Sequence, residues 1–160
     1  MNINISIRAI CVIALLAFAT AAFAQDDAAP KNPKFDAELA KRVGADKMGM
    51  RQYVLVILKT GPKRVPDGPE RDEMFKGHFA NMQRLAAEGK LALAGPLDQV
   101  DGWRGLFIFA VSEIEEAKKL AETDPVIIKG EMVAEYHKYY GSAALMMVNE
   151  LNEKVAETSF

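Results

Sequence analysis

Arg51–Gly61 reads RQYVLVILKTG. From Tyr53 to Leu58 every side chain is apolar, aromatic or β-branched. Such a run is too short for a buried helix and has the composition of a central strand. An antiparallel strand with one wet face would alternate apolar and polar residues. This one does not, and neither does Leu106–Val111, the apolar part of the later strand WRGLFIFAV. The two runs therefore predict strands covered on both faces. Helices can cover one face. The other needs a second copy of the chain, a terminal helix, or both.

Downstream of the first strand lies the loop GPKRVPDGP, and its Pro69 suits the first position of a helix. Glu70 and Asp72 place negative charge in the first turn, where the macrodipole favours it. This helix is expected to run from about Pro69 to Glu88, with Phe75, Phe79, Met82 and Ala86 as its apolar stripe and Gly89 as its C-terminal cap. KLALAGP is then a short strand stopped by Gly95-Pro96. Asp101-Gly102 signals a turn into the strand that starts at Trp103. Ser112 with Glu115 reads as a capping box. It opens a second helix carrying Ile114, Ala117, Leu120 and Ala121 on one face and running to about Thr123. Pro125 disfavours helix at Asp124. A last strand spans Glu131–Tyr140 and is broken by Gly141-Ser142. The rest carries Leu145, Val148, Leu151 and Val155 on one face, as an amphipathic terminal helix does.

The order is β-α-β-β-α-β plus a helix, which predicts an α+β, ferredoxin-like fold with an antiparallel sheet. Residues 50–141 form the expected domain, and 142–160 are a C-terminal helical extension. Upstream, 25–49 reads as a flexible tail. Within it Phe35, Leu39 and Val43 could form one or two helical turns ended by Gly44. Residues 1–24 read as a signal peptide: Arg8 is the positive flank, Ala9–Phe23 the apolar run and Ala22-Phe23-Ala24 the cleavage signature. Cleavage after Ala24 would export the protein to the periplasm or beyond, with no stable membrane span left. The single cysteine, Cys11, would leave with the peptide and with it any chance of a disulfide. Removing Arg8 leaves 19 basic residues against 22 acidic ones, a net of −3. No basic stripe is available to neutralise phosphates, so a nucleic-acid partner is not expected.

Two histidines are present, and His78 sits at the border of the expected stripe of the first helix. An imidazole there can be partly desolvated and still reach an opening, as acid–base work near neutral pH requires. Such a base needs an acceptor on its second ring nitrogen to orient it. Asp124 stands at a helix end in an Asp-Pro step and is the best candidate. The same two residues allow a plainer reading, as a core histidine bonded to a backbone carbonyl and a simple helix stop. Trp103 and Arg104 flank a Gly-rich turn beside Gly95 and Pro96. They could line the mouth of a pocket for an aromatic or anionic small molecule. His137, near Tyr136, Tyr139 and Tyr140, reads as an edge or interface cluster. No metal-ligand spacing, phosphate loop or nucleophile elbow is present, so no cofactor is expected.

Four stretches taken together carry a resemblance: YVLVILKTGP, HFANMQRLAAEGKLALAGPL, GWRGLFIFAV and EEAKKLAETDP. Over about Gln52–Tyr140 the chain resembles the YCII-related family of dimeric α/β-barrel proteins. The matching positions are His78 on helix one; Gly89, Leu91 and Ala94-Gly95-Pro96 after it; and Glu116-Ala117 with Asp124-Pro125 on helix two. The resemblance implies a ferredoxin-like fold dimerising through its sheets and an active site at His78 and Asp124. Some members resemble muconolactone isomerases or act in dehydrochlorination of aromatics. The leader, the tail and the terminal helix depart from the family pattern. The reading is thus an exported, homodimeric, cofactor-free enzyme in which a His–Asp pair transfers protons, an isomerase or a lyase. The alternative is a non-catalytic periplasmic protein of the same fold that binds a ligand or a partner. A third reading, a haem-binding relative, would require an imidazole facing a large apolar cavity.

Overall fold

A computed structural model describes residues 32–158, so the expected leader and its cleavage site lie outside the described residues. The chain divides at Pro33, and everything below concerns the unit that starts at Lys34. Its elements in order are α1 (Ala37–Val43), β1 (Met50–Thr60), α2 (Pro69–Ala87), β2 (Leu91–Pro96), β3 (Trp103–Phe109), α3 (Ile114–Ala121), α4 (Pro125–Ile128), β4 (Met132–Ser142) and α5 (Val148–Val155). The sheet order is β2-β3-β1-β4. Every neighbouring pair is antiparallel. This is the ferredoxin-like arrangement that the element order predicted. Among the described residues no helix is long and apolar enough to cross a membrane.

β1 explains why the sheet forms around it. Val54, Val56 and Leu58 point to the helix side and pack with Phe107 and Phe109 of β3, Met74 and Leu85 of α2, Ala117 and Ala121 of α3, and Val126 of α4. The intervening residues face the other way, as strand alternation requires. There Tyr53 and Ile108 meet Leu145 and Met146. The chain's own C-terminal segment thus covers part of the second face. The cover is a 3-10 turn, Ala143–Met147, rather than one continuous helix. α5 follows it, and two residues of its expected apolar face, Leu151 and Val155, stand exposed. Tertiary contact on the sheet is made before the helix begins. β4 also runs two residues further than expected, because Gly141 continues the pairing opposite Arg51 instead of breaking it.

Residues 37–43, inside the stretch read as a tail, form α1. Asp36 caps it by accepting from the Leu39 N–H at 2.9 Å, and Gly44 ends it in the left-handed region at φ 67°.

Two helix readings need correction. The buried face of α2 is Met74, His78, Asn81 and Leu85. Phe75, Met82 and Ala86 pack only partly, and Phe79 is 48% exposed. The helix is rolled by one residue from the purely apolar stripe. Each of its two buried polar side chains finds at least one partner, which offsets part of the cost of burying it. At α3, Ser112 and Glu115 form no capping box. Glu113 is the N-cap without a side-chain bond, and Glu115 instead pairs with Lys118 at 2.7 Å. The charged partner one turn along takes the carboxylate that the box would have used.

Candidate active site: a buried histidine–aspartate pair

The rolled face of α2 brings His78 inward. The residue before it, Gly77, is what lets the helix come close: a Cβ there would lie 2.9 Å from Pro125 Cγ. Pro125 opens α4, and Asp124 caps α4 by accepting from the Val126 N–H at 3.1 Å. The Asp-Pro step therefore does more than stop α3. It starts a second helical turn whose cap carboxylate faces α2.

His78 Nδ1 lies 2.7 Å from Asp124 Oδ2 and 3.0 Å from Oδ1. Asp124 is fully buried, and the histidine side chain is only 10% exposed. An ionised carboxylate can only accept, so Nδ1 donates to Asp124, and Nε2 is the ring nitrogen left to exchange a proton. Among the described residues Nε2 has no hydrogen-bond partner. The ring sits among three phenylalanines, with centroids 5.4 Å from Phe79, 6.0 Å from Phe107 and 6.1 Å from Phe75. These rings make an apolar wall, and among the described residues the ionic group on the imidazole is Asp124.

A second set of side chains braces the pair and was missed by reading the sequence. Asn81, one turn after His78, accepts from Arg84 Nη2 at 2.7 Å and from the Thr123 hydroxyl at 3.0 Å. Thr123 directly precedes Asp124. This bridge ties the middle of α2 to the end of α3 beside the catalytic candidates. The only sequence signal for it was a polar residue at stripe spacing, which periodicity alone assigns to solvent.

The four positions expected at a pocket mouth are placed differently from one another. Gly95 and Pro96 lie on the edge strand β2, opposite Leu106 and Gly105. Trp103 is 42% exposed at the start of β3. Arg104 turns to Glu131, a second buried carboxylate, at 3.6 Å. Glu131 also accepts from Arg71 at 2.8 Å and from the Val65 N–H at 2.7 Å, while Arg64 lies 3.9 Å away. Burial pushes the Glu131 carboxyl up, but the Val65 N–H and the arginines outweigh it and hold the group below its ordinary value. Arg71 reaches on to the site: its guanidinium stacks 4.8 Å from the Phe75 ring. His137 lies apart on β4, bonded to Glu135 at 2.8 Å and half exposed. Among the described residues no group of three or more His, Cys, Asp or Glu is placed to hold a metal ion.

Comparison with known proteins agrees with this architecture. YjpA of Bacillus subtilis (strain 168) is 31% identical over 58 residues, covering 36% of this chain and 66% of that protein. The chain thus spans just under two thirds of that relative's length. The sequence pattern of the YCII-related domain matches residues 50–137, from the first residue of β1 into β4 and across both His78 and Asp124. The chain belongs to the YCII-related family.

Proposed function

We propose that this protein is an exported, homodimeric small-molecule enzyme in which His78 is the general base and Asp124 orients it. The observation that carries the reading is the two-oxygen grip of Asp124 on Nδ1, with no partner for Nε2 among the described residues and phenylalanines around the ring. Asp124 holds one tautomer and stabilises the imidazolium that forms when Nε2 takes a proton. The reaction class that asks only for this is proton abstraction from carbon beside a carbonyl. The C–H electron pair moves into an enolate. The enolate then either takes the proton back at another carbon, an isomerisation, or expels a leaving group from the adjacent carbon, an elimination. Neither outcome needs a redox partner. A ligand that is aromatic or anionic suits Phe75, Phe79 and the nearby arginines.

The homodimer rests on the uncovered part of the second sheet face. Val133 and Tyr139 share that face with Tyr53, by their pairing and alternation, and both are exposed. Export rests on the leader pattern alone. The competing proposal is a non-catalytic binding protein of the same fold, and the near-complete enclosure of the imidazole supports it.

The test needs no known substrate. Native protein starting at Gln25 is treated with diethyl pyrocarbonate and both histidines are followed by mass spectrometry. A working base has a reachable, nucleophilic Nε2, so His78 should be modified alongside the exposed His137. A His78 that stays unmodified while His137 reacts would sink the enzyme reading. In parallel, a panel of lactones and hydroxylated chloroaromatics in deuterated water should show enzyme-dependent exchange at carbon, absent from His78→Gln.

A further inference from the structure

A depression lies beyond the other end of α3, away from Asp124. It has a volume of about 430 Å³, and its lining includes Arg51, Gln52, Lys90, Ser112 and Glu116. Two cations face it against one carboxylate.

Arg51 is held in place. Its Nη1 donates to the Val43 carbonyl at 2.9 Å and its Nη2 to the Ala110 carbonyl at 3.3 Å. Its guanidinium lies 5.2 Å from the Tyr53 ring centroid. A Cβ on Gly44 would approach Nη1 to 3.2 Å, so the glycine leaves room for this placement. With all this support, the Nε–H is buried and has no acceptor among the described residues. Buried donors are rarely left so, and among the described residues no acceptor meets this one on an otherwise fixed guanidinium.

Lys90 stands beside it. Ala110 joins the two, since its carbonyl takes Arg51 and its N–H donates to the Lys90 carbonyl at 2.8 Å. The Lys90 ammonium meets Glu116 at 3.3 Å, and both side chains are nearly half exposed. Such a pair is loose and readily rearranged. Ser112 adds a hydroxyl, and the adjoining N-terminus of α3 has no side-chain cap.

We propose that this depression is an anion site separate from His78 and that it takes a phosphate group. A carboxylate has two oxygens, enough for one edge of Arg51. A phosphate has oxygens to spare for the guanidinium, the Lys90 ammonium and the Ser112 hydroxyl at once, and its second negative charge answers the second cation. The group could belong to a phosphomonoester or to free phosphate.

The test is an amide-shift titration of the full mature chain with inorganic phosphate, phenyl phosphate and acetate in separate arms. Saturable shifts are expected at Gly44, Ala110 and Ser112, with a dissociation constant on the order of 1 mM for phosphate and acetate at least about tenfold weaker. Tighter binding of phenyl phosphate assigns a phosphomonoester; tighter binding of phosphate assigns the free ion. Lys90→Gln, at a half-exposed position that does not threaten the fold, should weaken phosphate about fivefold. Arg51→Lys, which keeps the charge and removes the fork, should weaken it more, and His78→Gln should leave it unchanged. Shifts centred on Arg64, Arg71 and Arg104, no saturation, equal binding of acetate, or indifference to Lys90→Gln would each overturn the proposal.

Discussion

Asp124 and Glu131 stand at the two ends of α4, and both are buried carboxylates, 0% and 1% exposed. Their surroundings differ in kind. Glu131 is met by a backbone N–H and by guanidiniums, which stay charged at every relevant pH. Nothing in that set can accept or release a proton in the working range. It joins the loop at Val65, the start of α2 and β3 to the foot of β4, and it is a tie. Asp124 is met by an imidazole whose far nitrogen has no partner among the described residues. A buried carboxylate alone does not mark a site. What marks one is a partner with chemistry left over after the pairing is made.

The sharpest way to break this contrast is to neutralise each carboxylate in turn without changing its shape. Asp124→Asn keeps an oxygen for the α4 cap but removes the charge that sets the histidine tautomer. Proton exchange at carbon should fall by about 10³-fold, comparable to about 4 kcal/mol of barrier. Glu131→Gln should leave exchange per folded molecule within about twofold. It should instead cost roughly 3 kcal/mol in urea unfolding, because three arginines lose their shared anion. The opposite pattern, with Glu131→Gln inactive but stable, would reverse the assignment of site and tie.

Acid sharpens the same comparison. The Glu131 carboxyl is held below its ordinary value of 4.5 in the folded state. A lowered value contributes stability that is present above the unfolded value and lost as pH falls through the folded one. Wild-type stability should therefore drop on acidification below about pH 4.5, and Glu131→Gln should show a shallower acid limb in the same urea series. An unchanged limb would mean that other carboxylates, such as Glu70 and Glu135, also held low by their lysine partners, account for it.

Gly77→Ala asks how tightly the Asp124 side is set. Helix propensity favours alanine by about 1 kcal/mol. The new Cβ would meet the Pro125 ring, which cannot swing aside as a long side chain can. A net loss of roughly 1–2 kcal/mol is expected, with lower exchange activity as α4 moves back and the His78–Asp124 bonds lengthen. A stabilised, fully active variant would show that α4 yields freely. The smallest effect belongs to the rim of the same site: Phe79→Ser should cost no more than about 1 kcal/mol, since the ring beside His78 is half exposed. A loss above about 2 kcal/mol would point to a partner covering that ring in solution.

The strands and the element order were legible because they are written in local composition. Runs such as Tyr53–Leu58, with no polar position, have few places to go except a sheet centre, and the turn residues around them separate the elements. The family pattern then named His78 and Asp124. Local pattern could not decide which stripe of α2 turns inward. Two adjacent stripes share the same period, and the apolar one loses when the polar side chains of the other find partners from distant segments. Asn81 is buried because Thr123 is there, and Arg104 lies 3.6 Å from Glu131. Those pairings join residues far apart in the chain, so their energies exist only once the sheet has brought the segments together. By itself the sequence determined the fold class and the identity of the two candidate residues. Only the tertiary structure decided that they meet, because the close approach depends on the missing side chain of Gly77 against a proline that only the fold places there.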